Sequence, residues 1–96
     1  MKVVFSPRAL MRLREVQSYI AYDNVSAAAR VVQRIRQAAE MLADHPQLGA
    51  SWSARTRALV VSGATYRLHY RIDAQAETVE IITVAHTSQK PPRFSG

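Results

Sequence analysis

The 96-residue sequence contains no cysteine, which excludes a disulfide framework and a thiolate metal site. Its three glycines, Gly49, Gly63 and Gly96, lie far apart, so no glycine-rich loop could cradle a nucleotide phosphate. The histidines and scattered acidic residues show no metal-ligand spacing, and we therefore expect neither a metal nor another cofactor. No apolar run approaches the length of a signal-peptide core or a membrane span, so we expect a cytoplasmic protein without a membrane partner.

Acidic residues are also scarce. Seven Asp and Glu face thirteen Lys and Arg, which gives a net charge of +6 and an isoelectric point near 10.5. Lys2 and Lys90 are the two lysines, and arginine supplies the remaining positive charge. The planar arginine fork suits phosphates and carboxylates, so the composition favours an anionic partner: nucleic acid, a nucleic-acid enzyme or an acidic protein. The alternative is that the charge only keeps the chain soluble.

Length and apolar content predict one domain covering residues 1–96. Lys2–Phe5 is short and β-prone, and Ser6-Pro7 then provides a helix start. Asp23 and Asn24 interrupt this helix, and a second helix ends near Asp44, before Pro46. Apolar residues recur at helical spacing in both helices, at Leu10, Leu13, Val16 and Ile20, then at Ala28, Val31, Val32, Ile35, Ala38, Ala39 and Leu42.

Three β-prone segments follow, at 57–61, 65–72 and 78–85, separated by short turns. The middle segment alternates, with Tyr66 and Leu68 on one face and Arg67 and His69 on the other. The sequence therefore predicts a two-layer α+β fold, β-α-α-β-β-β, in which an antiparallel helix hairpin packs on an antiparallel sheet. The first strand is expected at an edge of that sheet, and residues 87–96, with Pro91-Pro92, as a loose tail.

This order of elements resembles the ParE branch of the RelE/ParE toxin superfamily. The matching phrases span nearly the whole chain: Phe5–Ala9, Ile20–Tyr22, Ala28-Ala29, Arg34-Ile35, Leu42–Gly49, Thr56–Val61, Tyr66–Ile72 and Ile81–His86. The resemblance implies a growth-inhibiting toxin of a type II toxin–antitoxin system that blocks DNA gyrase, and so replication, by protein contact. It also implies a hetero-oligomer with a ParD-like, ribbon-helix-helix antitoxin, which lies along the helix hairpin and the open sheet edge and alone contacts operator DNA.

Two other functions remain open within this resemblance. A ribosome-dependent mRNA endoribonuclease of RelE type would need a cluster of basic and titratable residues, for which Arg67, Arg71 and His86 are the candidates. RelE-type nucleases, however, usually carry an arginine where Ser62 stands, and a basic residue near the end of the last strand, where this chain has Thr83-Val84-Ala85. These departures favour gyrase inhibition. The third function is a non-toxic, antitoxin-binding co-repressor.

Candidate residues for binding the target or the antitoxin are Trp52, Arg57, Arg67, His69, Arg71, His86 and Lys90. Arg67, His69 and Arg71 would form a basic stripe on an open sheet face. For Arg57 the structural alternative is a salt bridge to Glu80 or Asp73, and for Trp52 it is packing against the helix hairpin. For His86 it is a local hydrogen bond.

Overall fold

A computed structural model describes residues 1–88. The elements are β1 (Lys2–Phe5), α1 (Pro7–Ala21), α2 (Val25–Asp44), β2 (Ala50–Ser51), β3 (Arg57–Val60), β4 (Tyr66–Asp73) and β5 (Thr78–His86). The predicted α+β fold is confirmed, with one added short strand, β2. No helix within the described residues is long and apolar enough to cross a membrane.

Local sequence sets both helix starts. The Ser6 side chain accepts a hydrogen bond from the Ala9 N–H at 3.0 Å, and Pro7 occupies the first helical position. The Ser6 hydroxyl also donates to the Ile82 carbonyl at 2.9 Å, which connects the start of α1 to β5. Asn24 caps α2 in the same way, accepting from the Ala27 N–H at 2.9 Å. The two helices therefore form a hairpin with a turn of three residues, 22–24.

The five strands form one sheet in the order β1-β5-β4-β3-β2. The predicted antiparallel meander is confirmed for β3, β4 and β5, and β2 adds antiparallel to β3. β1 instead pairs parallel to β5, so the sheet is mixed and not wholly antiparallel. β5 is an interior strand, between β1 and β4, and β1 is an edge. The register between β4 and β5 shifts at His69/Tyr70, where Ile82 is an extra residue on β5.

The core lies between the helix hairpin and one face of the sheet. It contains Leu13 and Val16 of α1, the predicted stripe of α2, and the even-numbered residues of β4, Tyr66, Leu68 and Tyr70. Leu10, predicted in this stripe, is 37% exposed, and Ala9 is fully buried in its place. The helix therefore presents a face rotated by one residue at its first turn.

Candidate functional site

The sheet face opposite the helices is covered by the segment that follows β2. Trp52 stacks edge-on against His69, with ring centroids 4.8 Å apart, and the Arg67 guanidinium lies over the Trp52 ring at 5.0 Å. His69 is fully buried and Arg67 is 9% exposed. The predicted basic stripe on an open sheet is therefore wrong for these two residues. Trp52 packs on them, away from the helix hairpin.

Arg67 and His69 are bonded to each other within this buried layer. The Arg67 Nε–H donates to His69 Nε2 at 3.0 Å, so Nε2 carries a lone pair and the imidazole is neutral. Burial, and then the adjacent Arg67 charge, lower the pKa of His69 from 6.5 to about 4. Arg67 Nη2 is buried without a hydrogen-bond partner among residues 1–88. The cation–π contact with the Trp52 ring thus offsets part of the cost of burying the Arg67 guanidinium.

Arg57 holds the loop that joins α2 to β2. Its Nη1 donates to the Gly49 carbonyl at 2.6 Å and to the Gln47 carbonyl at 3.4 Å. The buried Tyr70 hydroxyl holds the same loop, donating to the Pro46 carbonyl at 2.7 Å and accepting from the Gly49 N–H at 2.8 Å. Burial raises the pKa of Tyr70. Arg57 thus bonds backbone carbonyls, and the salt bridge predicted for it is absent among the described residues.

Arg71 lies on the same sheet face as Arg67 but is exposed. It makes the ion pair with Glu80 on the neighbouring strand, with Nε 2.9 Å and Nη2 2.5 Å from Oε1. This pair lines an open groove between the loop after β2 and the β4–β5 turn, together with Arg55 and Asp73. Such an exposed pair contributes about 0–1 kcal/mol, so it orients Arg71 more than it stabilises the fold.

His86 lies on the helix side of the sheet. It pairs with Tyr66 in the β4–β5 register, and their rings meet edge-on with centroids 5.2 Å apart. Its Nδ1 accepts a hydrogen bond from the Ser88 N–H at 3.1 Å and contacts the Ser88 hydroxyl at 2.6 Å, so the local hydrogen bond expected for His86 is present. Thr87 donates its N–H to the Thr65 carbonyl at 2.9 Å. Lys90 and the rest of the predicted tail, 89–96, lie outside the described residues.

A groove of about 850 Å³ opens beside His86, between α1 and the β3–β4 turn. Sequence reasoning did not select this groove, because its lining residues come from separate elements. They include Arg12, Tyr19, Gly63, Tyr66 and His86. Burial raises the pKa of Tyr66, the Tyr19 hydroxyl adds to this rise, and Arg12 opposes it. In the sequence, this groove is indicated only by the spacing of three polar or aromatic residues at i, i+3 and i+7 along α1: Arg12, Glu15 and Tyr19.

The three candidate nuclease residues do not converge. Residues directly opposite in an antiparallel pair project to one face, and successive residues alternate. His86 therefore shares the helix face with Tyr66, whereas Arg67 and Arg71 lie on the opposite face. The sheet separates the histidine from both arginines. Within residues 1–88, no cluster of three or more histidine, aspartate or glutamate side chains could hold a metal ion.

Comparison with known proteins identifies the class of this basic α+β domain. Residues 3–91 match the family of ParE toxins of the type II toxin–antitoxin system parDE. The chain belongs to this toxin family. A Sinorhizobium fredii protein named as a toxin, Y4kP, is 41% identical over 93 residues, 96% of this chain and 94% of that protein. Toxin RelE2 of Caulobacter vibrioides is 32% identical over 88 residues, 92% of this chain and 97% of that protein.

Solved structures share the fold. The chromosomal ParDE system of P. aeruginosa includes a chain that superposes with a TM-score of 0.78 at 16% identity, covering 92% of this chain and 97% of that one. A chain of the RelBE2 toxin–antitoxin complex of Mycobacterium tuberculosis superposes with a TM-score of 0.68 at 27% identity, covering 88% of this chain and 95% of that one. The first likeness concerns the fold alone, because its sequence identity is low.

Proposed function

We propose that this toxin inhibits DNA gyrase, and so replication, by protein contact in the cytoplasm. The observation that carries this proposal is the separation of His86 from Arg67 and Arg71 by the sheet. A metal-free ribonuclease must deprotonate a 2′-hydroxyl, stabilise the developing phosphorane charge and protonate the leaving oxygen at one point. Side chains on opposite faces of a sheet cannot meet at one phosphate, so the arrangement favours a role without its own chemistry.

The environment of each candidate arginine supports the same proposal. Arg67 is buried beneath Trp52 and bonded to His69, and Arg71 is paired with Glu80. A phosphate would have to displace Trp52 to reach Arg67 and would compete with Glu80 for Arg71. His69, with a pKa of about 4, stays neutral near pH 7 and is buried, so it is poorly suited to proton transfer. Arg67 and His69 thus pack against Trp52, and Arg71 forms an ion pair, so none of the three is placed for catalysis.

The toxin is further proposed to be neutralised by a cognate antitoxin. The supporting surface is the turn of the helix hairpin, where Tyr22 is 92% and Val25 is 73% exposed. Contiguous exposed apolar surface is typical of interaction sites, and these two residues flank the same turn. The outer edge of β1 is a second supporting feature, because β1 pairs with β5 on one side alone in the described sheet. An antitoxin could place an amphipathic helix on the hairpin and a strand on β1.

RNA cleavage in the manner of RelE toxins is the second candidate. It is favoured by the names of two similar proteins: Toxin RelE2, which is 32% identical, and the RelBE2 complex, one chain of which is 27% identical. It requires Trp52 to move and His86 to approach the opposite face when the ribosome binds. A toxin that has lost activity, and binds antitoxin only to co-repress its operon, is the third candidate.

A supercoiling and cleavage assay with purified gyrase tests the proposal. Inhibited supercoiling with accumulation of cleaved plasmid is the expected result. A type I topoisomerase relaxing the same plasmid is the control, because a basic protein that merely coats DNA would inhibit both enzymes. If gyrase is unaffected at a large molar excess of folded protein, the proposal fails. Cleavage of mRNA during translation would then establish the RelE-like function, and harmless expression together with tight antitoxin binding would establish the co-repressor.

A further inference from the structure

The groove beside His86 combines positive charge with exposed aromatic surface. Arg12 is fixed at its rim by a bond from Nε to the Val84 carbonyl at 3.4 Å and an ion pair to Glu15 at 3.0 Å. Arg34 of α2 lies next to Gly63, which lines the groove, because a Cβ atom added to Gly63 would overlap the Arg34 guanidinium. Arg34 is exposed and makes no ion pair with any residue of 1–88. Two guanidinium groups from different helices thus border one groove.

Acidic residues are concentrated at the other end of the molecule. The N-terminal amine donates to the Ala43 carbonyl at 2.7 Å, and the Lys2 N–H donates to the Glu77 carbonyl at 3.0 Å. These contacts bring the end of α2 and the β4–β5 turn together. Five of the seven acidic residues lie in the second half of α2, in this turn or on the strand ends that flank it: Glu40, Asp44, Asp73, Glu77 and Glu80. The groove end therefore carries fewer carboxylates, with Glu15 as the one acidic residue among its lining residues.

Tyr19 provides a flat surface at the same groove. It lines the groove and is 79% exposed, so most of its ring is available to a ligand. Tyr66, at the floor, is 8% exposed and holds its ring against His86. An aromatic ring beside arginines is the combination that binds unpaired nucleotides, because bases stack on the ring while the arginines contact phosphates.

We propose that this groove binds single-stranded nucleic acid, with a base stacked on Tyr19 and a phosphate at Arg34, while Arg12, paired with Glu15, borders the stacked base. The inference rests on the proposed function, since a toxin that contacts gyrase acts next to the DNA that gyrase holds. An acidic peptide is disfavoured as occupant, because carboxylates do not use an exposed ring as a stacking surface. Duplex DNA is disfavoured because its bases present edges and not faces.

Fluorescence anisotropy with a fluorescein-labelled oligodeoxythymidylate of about 12 nucleotides tests the groove directly. Tyr19→Ala is expected to weaken binding about tenfold, the usual effect of losing one stacked base. Arg34→Gln is expected to weaken binding and to reduce the slope of log K against log salt by about 0.7, the value for one phosphate contact with a single strand. An equal-length duplex is expected to bind more weakly than the single strand.

Met11→Ala and Arg14→Gln are the matched controls, because both residues are exposed on α1 and lie outside the groove lining. Both are expected to bind the oligonucleotide like the unmodified protein. The proposal is overturned if the controls lose as much affinity as the groove variants, or if the single strand does not bind. It is also overturned if polyglutamate of matched charge displaces the oligonucleotide as well as unlabelled single strand does.

The gyrase assay separates this inference from the proposed function. Gyrase inhibition without oligonucleotide binding would remove the groove and leave the proposed function intact. Oligonucleotide binding that depends on Tyr19 and Arg34, without any effect on gyrase, would retain the groove and remove the proposed function. Circular dichroism melting of each variant confirms that a loss of binding does not reflect unfolding.

Discussion

Replacing Tyr70 by phenylalanine tests whether one buried hydroxyl holds the loop between α2 and β2. The hydroxyl makes two hydrogen bonds, 2.7 Å to the Pro46 carbonyl and 2.8 Å from the Gly49 N–H, and the Tyr70 ring is fully buried. Each lost bond costs about 1 kcal/mol, and an unsatisfied buried donor costs about 1–3 kcal/mol. Tyr70→Phe should therefore lower the free energy of unfolding by about 2–3 kcal/mol.

Chemical denaturation followed by circular dichroism measures this loss. For a domain of this size it corresponds to a fall in Tm of about 10–20 °C. Tyr66→Phe is the matched control: Tyr66 is also buried, but its hydroxyl makes no hydrogen bond with any residue of 1–88. Its replacement should cost less than about 0.5 kcal/mol. Equal losses for the two variants would refute the anchoring role of the Tyr70 hydroxyl.

Three further predictions concern the same framework. Gly49→Ala should destabilise the fold by about 2 kcal/mol or more in denaturant titration, because the new Cβ would lie 2.7 Å from the Ala58 carbonyl oxygen and 2.8 Å from the Tyr70 ring; a neutral result would show that the loop moves freely. Arg57→Ala should cost about 1–2 kcal/mol and Arg71→Ala less than about 1 kcal/mol, since the first removes bonds to carbonyls and the second an exposed ion pair; the reverse order in unfolding titrations would contradict these roles. The pKa of His69 is about 4 in the folded protein and 6.5 in the unfolded chain, so protonation favours the unfolded chain. The free energy of unfolding should therefore be highest above pH 6.5 and fall by about 3 kcal/mol as the pH is lowered to 4. An imidazole NMR titration with a midpoint above pH 6 would exclude this loss.

Much of the fold is readable from the sequence because its signals are local. Ser6 and Asn24 each cap a helix through bonds to an N–H three residues on. The alternation of β4 likewise follows from the chain itself. The parallel direction of β1 depends instead on where the helix hairpin returns the chain. β2, with two residues, is too short to leave a periodic pattern.

The candidate site was less predictable because its character depends on tertiary cover. The face that carries Arg67, His69 and Arg71 follows from alternation, but alternation says nothing about what lies over that face. The segment after β2 places Trp52 over this face. Arg67 is therefore buried beneath Trp52, whereas Arg71 stays exposed and pairs with Glu80. The groove at Arg12, Tyr19 and Arg34 joins two helices and a turn, so no single stretch of sequence marks it.

Net charge alone overstates how many arginines this toxin can offer to a partner. Arg57 is bonded to backbone carbonyls, Arg67 lies beneath Trp52, and Arg71 is paired with Glu80. The three strand arginines that the sequence predicted as binding residues thus already have partners within the protein. Arg30 and Arg34, one turn apart on α2, are exposed and have no ion-pair partner in residues 1–88. Because a mutation that both unfolds and inactivates is uninformative, a search for the target-binding surface should begin at Arg30 and Arg34, whose loss changes charge without removing an ion pair within residues 1–88.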